Sequence, residues 1–167
     1  MATTKFKGTD VELLGTEINV GDKAPAITVV NSDGLGDVTV GGAQGHKQLI
    51  IVVPSLDTGV CATETRNFNA KAASLEGVKP TIVSLDLPFA AGRFCSAEGI
   101  TDLTVTSDFR NKDFANAYGV LLGGSVLAGV TCRAIFAVNE EGIVTYKEIV
   151  PEITEEPNYD AAIAAVS

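Results

Sequence analysis

The stretch Leu49-Ile50-Ile51-Val52-Val53-Pro54 constrains this chain more than any other. A continuous apolar run, unlike an alternating one, is what a strand shows when both of its faces are covered. Pro54 ends it, because proline has no N–H to give to a sheet ladder. The residues beyond change period. Cys61, Thr65, Phe68, Ala72 and Leu75 are separated by 4, 3, 4 and 3, one stripe of a helix, and Gly77 is a natural stop. A doubly covered strand feeding an amphipathic helix belongs to an α/β fold.

The pattern repeats more briefly downstream. Thr81–Leu85 reads as a second buried strand and Pro88–Glu98 as a short helix stopped by Gly99. Leu103–Thr106 and Phe114–Tyr118 give another strand and helix. Cys132–Val138 and Ile143–Val150 flank Asn139-Glu140-Glu141-Gly142 as an antiparallel hairpin, and Tyr159–Val166 is a closing helix. Near the start, Lys5–Leu14 alternates around Gly8-Thr9-Asp10 as a small hairpin. Ala26–Val30 and Asp37–Val40 pair across Asn31-Ser32-Asp33-Gly34. This order of elements describes a thioredoxin-like α/β fold, a central mixed β-sheet flanked by helices, with an N-terminal β-hairpin extension. With 167 residues, no repeat and no linker, residues 1–167 are expected to form a single domain. Gly119–Gly129, "GVLLGGSVLAG", is expected as a long connection without the GxGxxG or Walker pattern of a phosphate site.

Composition excludes several function classes. The net charge is −9, and no Lys/Arg cluster offers a track for nucleic acid. No apolar run approaches the ~18 residues of a membrane span. The opening Met-Ala-Thr-Thr-Lys-Phe-Lys-Gly has no continuous apolar core, so we take it as the start of the folded domain and expect a cytoplasmic protein. A single histidine, His46, rules out a multi-histidine metal site and is expected on a surface loop. Three cysteines, Cys61, Cys95 and Cys132, are an odd number for a secreted disulfide framework, and none forms a CxxC pair.

Cys61 stands where the strand has ended and the helix begins. Unpaired N–H groups and the positive end of the helix dipole favour an anion there, and the thiolate is the nucleophilic form of cysteine. Thr58, three residues earlier, is a natural N-cap whose hydroxyl could also meet reacting atoms. Pro54 could shield the thiol from water. Arg133 lies in an apolar strand context, where an unpaired guanidinium is costly, so either a thiolate or a buried carboxylate should face it. Cys132 is read as core packing. Glu64 and Arg110 are read as structural or solvated. Leu121, Leu122, Val126 and Leu127 fit a core or an apolar approach equally well.

The segment Pro54-Ser55-Leu56-Asp57-Thr58-Gly59-Val60-Cys61 matches the pattern P-x-x-x-T-x-x-C, and with Cys95 in "RFCSAEG" the chain resembles the thiol peroxidase subgroup of the peroxiredoxins (atypical two-cysteine peroxiredoxins). The resemblance runs through to "EITEEPNYDAAIAA". Ser96, where glycine is expected, and Cys132, where a small apolar residue is usual, depart from the subgroup. It implies that Cys61 is the peroxidatic thiol, that Thr58 orients a hydroperoxide, and that Arg133 stabilises the anion. It further implies that Cys95 resolves the sulfenic acid in a Cys61–Cys95 disulfide, that thioredoxin recycles the disulfide in antioxidant defence, and that the chain forms a homodimer without cofactor or metal. The competing expectation is a catalytically silent thioredoxin-like binding or chaperone module. Two thiols on separate helices would need local unwinding to bond, since a disulfide requires a Cα separation of roughly 4.4–6.8 Å.

Overall fold

A computed structural model describes residues 2–167. In chain order the elements are β1 (Thr3–Phe6), β2 (Thr9–Leu14), β3 (Ile27–Asn31), β4 (Asp37–Val40), β5 (Gln48–Val52), α1 (Gly59–Ala72) and β6 (Thr81–Ser84). There follow α2 (Pro88–Glu98), β7 (Thr104–Ser107), α3 (Asp113–Ala117), β8 (Leu121–Leu122), β9 (Ala134–Val138), β10 (Val144–Ile149) and α4 (Tyr159–Ala165).

The apolar run becomes the middle of the main sheet. Its strand order is β10-β9-β5-β6-β7-β3-β4, parallel across β5, β6 and β7 and antiparallel elsewhere. Every residue of β5 is buried, which is why its sequence does not alternate. Its side chains nevertheless divide between the two faces. Ile50 and Val52 join one apolar cluster with Phe114, Tyr118 and Phe136. Leu49, Ile51 and Val53 join another with Cys61, Phe68, Ala91 and Ala162, so that α1, α2 and α4 contribute to this second layer. The expected mixed sheet with flanking helices is what the chain forms.

Three local expectations shift. The first hairpin turns at Lys7-Gly8, not at Gly8-Thr9-Asp10, because Phe6 pairs with Thr9 and both turn residues take positive φ, 51° and 82°, the signature of a tight two-residue turn. Helix α1 stops at Ala72, so Leu75 packs against the second cluster from outside the helix. The glycine-containing connection carries a short strand, β8, whose Leu121 and Leu122 pair with Leu14 and Leu13 of β2. Leu121 and Leu122 are therefore core, Leu127 packs against it, and Val126 is exposed.

The N-terminal hairpin is clasped to the far end of the chain. Glu152 accepts hydrogen bonds from the Gly8 and Lys7 amides at 2.8 and 3.2 Å, and the Ile153 amide donates to Lys5 O at 2.8 Å.

Candidate active site

The segment between β5 and α1 is built to deliver a thiol. Pro54 is buried, and the Asp86 carboxylate accepts from Ser55 Oγ and the Leu56 amide, both at 2.8 Å. Thr58 is extended (φ −92°, ψ 148°) and caps α1, its hydroxyl accepting from the Cys61 amide at 3.4 Å and donating to Ser55 O at 3.0 Å. The N-cap role read from the sequence is thus filled. Cys61 falls in the first turn of α1 with no exposed surface.

Arg133 reaches this thiol through the pleat. Successive side chains of a strand point to opposite faces. Cys132 accordingly enters the first cluster, while Arg133, just before β9, turns to the α1 side. Its Nη1 donates to Cys61 Sγ at 3.1 Å and to Glu64 Oε2 at 2.6 Å, and its Nε donates to Ile153 O at 2.9 Å. Burial works against the guanidinium charge, but Cys61 and Glu64 outweigh it and hold the group above its ordinary range. Both partners considered for Arg133, a thiol and a carboxylate, are present.

Of the two readings open for Glu64, structural or solvated, the structure takes the first: it is wholly buried beside the thiol and paired with Arg133. Burial pushes its carboxyl up to about 7, against the pull of Arg133 and with a further push from Glu148 and Glu156. Among the described residues, its Oε1 is the buried side-chain polar atom without a hydrogen-bond partner. The signal was available. Glu64 stands three residues after Cys61 and one before Thr65, on the buried stripe of α1.

Cys95 sits late in α2, half-buried, and packs against the cluster that contains Cys61. Burial raises its thiol, the Ser32 hydroxyl works the other way, and Asp33 adds to the rise. Cys95 also lines a cleft of about 680 Å³ with Ser32, Asp33, Lys79 and Gly99. All three thiols are free. Cys132 is fully buried, and burial pushes its thiol up to about 12, in keeping with packing. Arg110 is exposed, 3.8 Å from Asp37. His46 lies on an exposed loop. Among the described residues no cluster of three or more His, Cys, Asp or Glu side chains is arranged to hold a metal ion, and no helix is long and apolar enough to cross a membrane.

A thioredoxin-like sheet that presents a buried thiol at a helix start, under a guanidinium, defines a thiol redox protein. Comparison with known proteins narrows the class. The Redoxin family pattern matches residues 19–163. A thiol peroxidase of Aquifex aeolicus is 52% identical over 98% of this chain and 96% of its own. One of Campylobacter jejuni is 50% identical over 95% and 89%. The chain belongs to the Redoxin family, among the thiol peroxidases of the peroxiredoxin group. A solved peroxiredoxin-like protein of Aquifex aeolicus superposes with a TM-score of 0.96 at 51% identity, covering 99% of this chain and 96% of the other. A thiol peroxidase from Chromobacterium violaceum shares the fold, with a TM-score of 0.85 at 22% identity over 95% and 91% of the two chains.

Proposed function

We propose that the protein is a thiol peroxidase that reduces hydrogen peroxide and organic hydroperoxides at Cys61. The observation that carries this is the 3.1 Å hydrogen bond from Arg133 Nη1 to the buried Cys61 sulfur. A guanidinium keeps its charge at any working pH, so it supports the thiolate and then the oxyanion that forms as the peroxide bond breaks. The thiolate attacks the terminal oxygen of ROOH. An S–O bond forms, the O–O bond breaks, sulfur loses two electrons, and RO⁻ leaves to take up a proton as ROH or water. Thr58 Oγ1 already accepts one bond and donates another, but a hydroxyl has a second lone pair. That lone pair can receive the O–H of the incoming peroxide and orient it.

The sulfenic acid on Cys61 then condenses with the Cys95 thiol, releasing water and leaving a disulfide. A protein dithiol of the thioredoxin type reduces it by exchange. The two cysteines belong to separate helices, so bond formation is expected to unwind the start of α1, the end of α2, or both. A homodimer in the cytoplasm completes the proposal. Stopped-flow oxidation by peroxide, followed by mass spectrometry, tests it. The wild type should gain one oxygen on Cys61 and then lose water to the Cys61–Cys95 bond, and Cys61→Ser should keep its fold and lose turnover. Full peroxidase activity in Cys61→Ser would refute the assignment. An unreactive Cys61 in the wild type would favour a silent binding module.

A further inference from the structure

Arg133 offers one nitrogen to two acids. Nη1 lies 3.1 Å from Cys61 Sγ and 2.6 Å from Glu64 Oε2. Both acids thus sit within the ~6 Å over which one charge alters another's ionisation. Cys61 and Glu64 have no exposed surface and Arg133 has 2%. In such a setting one cation compensates one anion, and a second anion is opposed both by desolvation and by the first.

The surroundings of Glu64 offer its charge little further help. Oε1 receives no hydrogen bond. The charged groups acting on the carboxyl are Arg133 before β9, Glu148 of β10 and Glu156 ahead of α4, while Tyr159 at the start of α4 is near enough to feel it. Two of these are themselves carboxylates. Burial already holds the Glu64 proton up to about 7.

We propose that Cys61 and Glu64 carry a single negative charge between them, and that this charge passes from sulfur to carboxylate when Cys61 is oxidised. The inference rests on Cys61 being the thiol that attacks peroxide. While sulfur is the anion, Glu64 stays protonated. Oxidation turns the thiolate into a neutral sulfenic acid, Arg133 is left with Glu64 alone, and Glu64 ionises. The balance closes within the site: thiolate, protonated Glu64 and ROOH become sulfenic acid, Glu64 carboxylate and ROH. The proton that the alkoxide requires is matched by the one Glu64 gives up, and the charge beside Arg133 is the same before and after. Glu64 is a positioning residue in this scheme, acting through the guanidinium it shares.

Difference infrared spectroscopy reads the transfer directly. In Cys95→Ser, which holds the reaction at the sulfenic acid, one equivalent of peroxide at neutral pH should bleach the band of a buried protonated carboxyl and raise a carboxylate band. Glu64→Gln in the same background should abolish both signals. It should also raise the proton uptake, followed with a pH indicator, from near zero to about one per Cys61 oxidised. Oxidation of Cys61 with no carboxyl signal overturns the proposal, and so does equal proton uptake by the two proteins. The infrared arm does not depend on Glu64→Gln folding. If mass spectrometry shows that peroxide leaves Cys61 unoxidised, the peroxidase reading fails separately. Cys61→Ser, neutral at this position at every working pH, then stands in for the oxidised state. Its Glu64 must be ionised at a neutral pH where the wild type keeps it protonated, and an unchanged carboxyl band overturns the shared charge.

Discussion

Cys61 and Cys132 are equally buried, and their neighbours separate them. Arg133 donates to the Cys61 sulfur at 3.1 Å, whereas Cys132 lies among apolar side chains that push its thiol up to about 12. Arg133→Ala should slow oxidation of Cys61 by about 10²–10³-fold, the cost of removing one donor from a developing anion. It should also destabilise the fold by about 3–5 kcal/mol, because a buried ion pair broken on one side leaves an uncompensated charge. An unchanged second-order rate constant would assign the anion to another group. Glu64 makes a pH prediction with a definite sign. Its carboxyl ionises near 4.5 when unfolded and at about 7 when folded. A raised carboxyl contributes stability at acid pH that is lost as pH climbs from the lower value through the higher. Measured by denaturant unfolding, wild-type stability should fall over this interval relative to Glu64→Gln, by order 1–3 kcal/mol, the comparison cancelling whatever the Cys61 thiol contributes to both. Parallel pH profiles for the two proteins would place the titrating group elsewhere. At this scale Cys61, Thr58 and Arg133 were legible because each stood out from its surroundings as a cap, a thiol at a helix start or a charge in an apolar strand. Glu64 was not, because a glutamate on a helix is ordinarily solvated and only its place on the stripe argued otherwise.

Among elements, the N-terminal hairpin has a bearing on the site. Arg133 Nε donates to Ile153 O, and the Ile153 amide in turn donates to Lys5 O of β1. The Glu152 carboxylate fastens this contact on the amides of Gly8, Thr154 and Lys7, which hold it down to about 2. The clasp is therefore complete above the ordinary carboxylate range near 4.5 and loosens as pH falls through about 2. Glu152→Ala should raise hydrogen exchange at Gly8 and Ile153 and slow Cys61 oxidation by less than Arg133→Ala does. Unaltered exchange at Ile153 would uncouple hairpin from site. The long elements were readable because 3.6-residue and continuous apolar patterns need several residues to declare themselves. β8 has two residues and no pattern of its own; only pairing with β2 makes it a strand. The first turn was misplaced because Lys7 adopts φ 51°, a conformation that non-glycine residues seldom take and a sequence does not advertise.

Across the whole molecule, the sheet separates two clusters, and the second cluster unites Cys61, Cys95 and the helices that carry them. Any motion that joins the two sulfurs therefore disturbs the packing of α1 and α2 on the sheet, and hydrogen exchange should report lost protection over residues 60–65 and 93–98 in the disulfide form. Retained protection in both segments would mean that the thiols meet without unwinding. The layer order was implicit in the alternation of strand and helix along the chain. The clasp was not, since it joins positions more than 140 residues apart through backbone amides, which have no signature in sequence. Complete enclosure of Cys61 has a practical corollary for anyone counting thiols in the native protein. A bulky disulfide reagent samples whatever sulfur it can touch, and only Cys95 among the three cysteines presents surface. Native labelling should therefore modify Cys95 first and Cys61 at the pace of local opening, the reverse of the order that the proposed mechanism assigns them towards a molecule as small as peroxide.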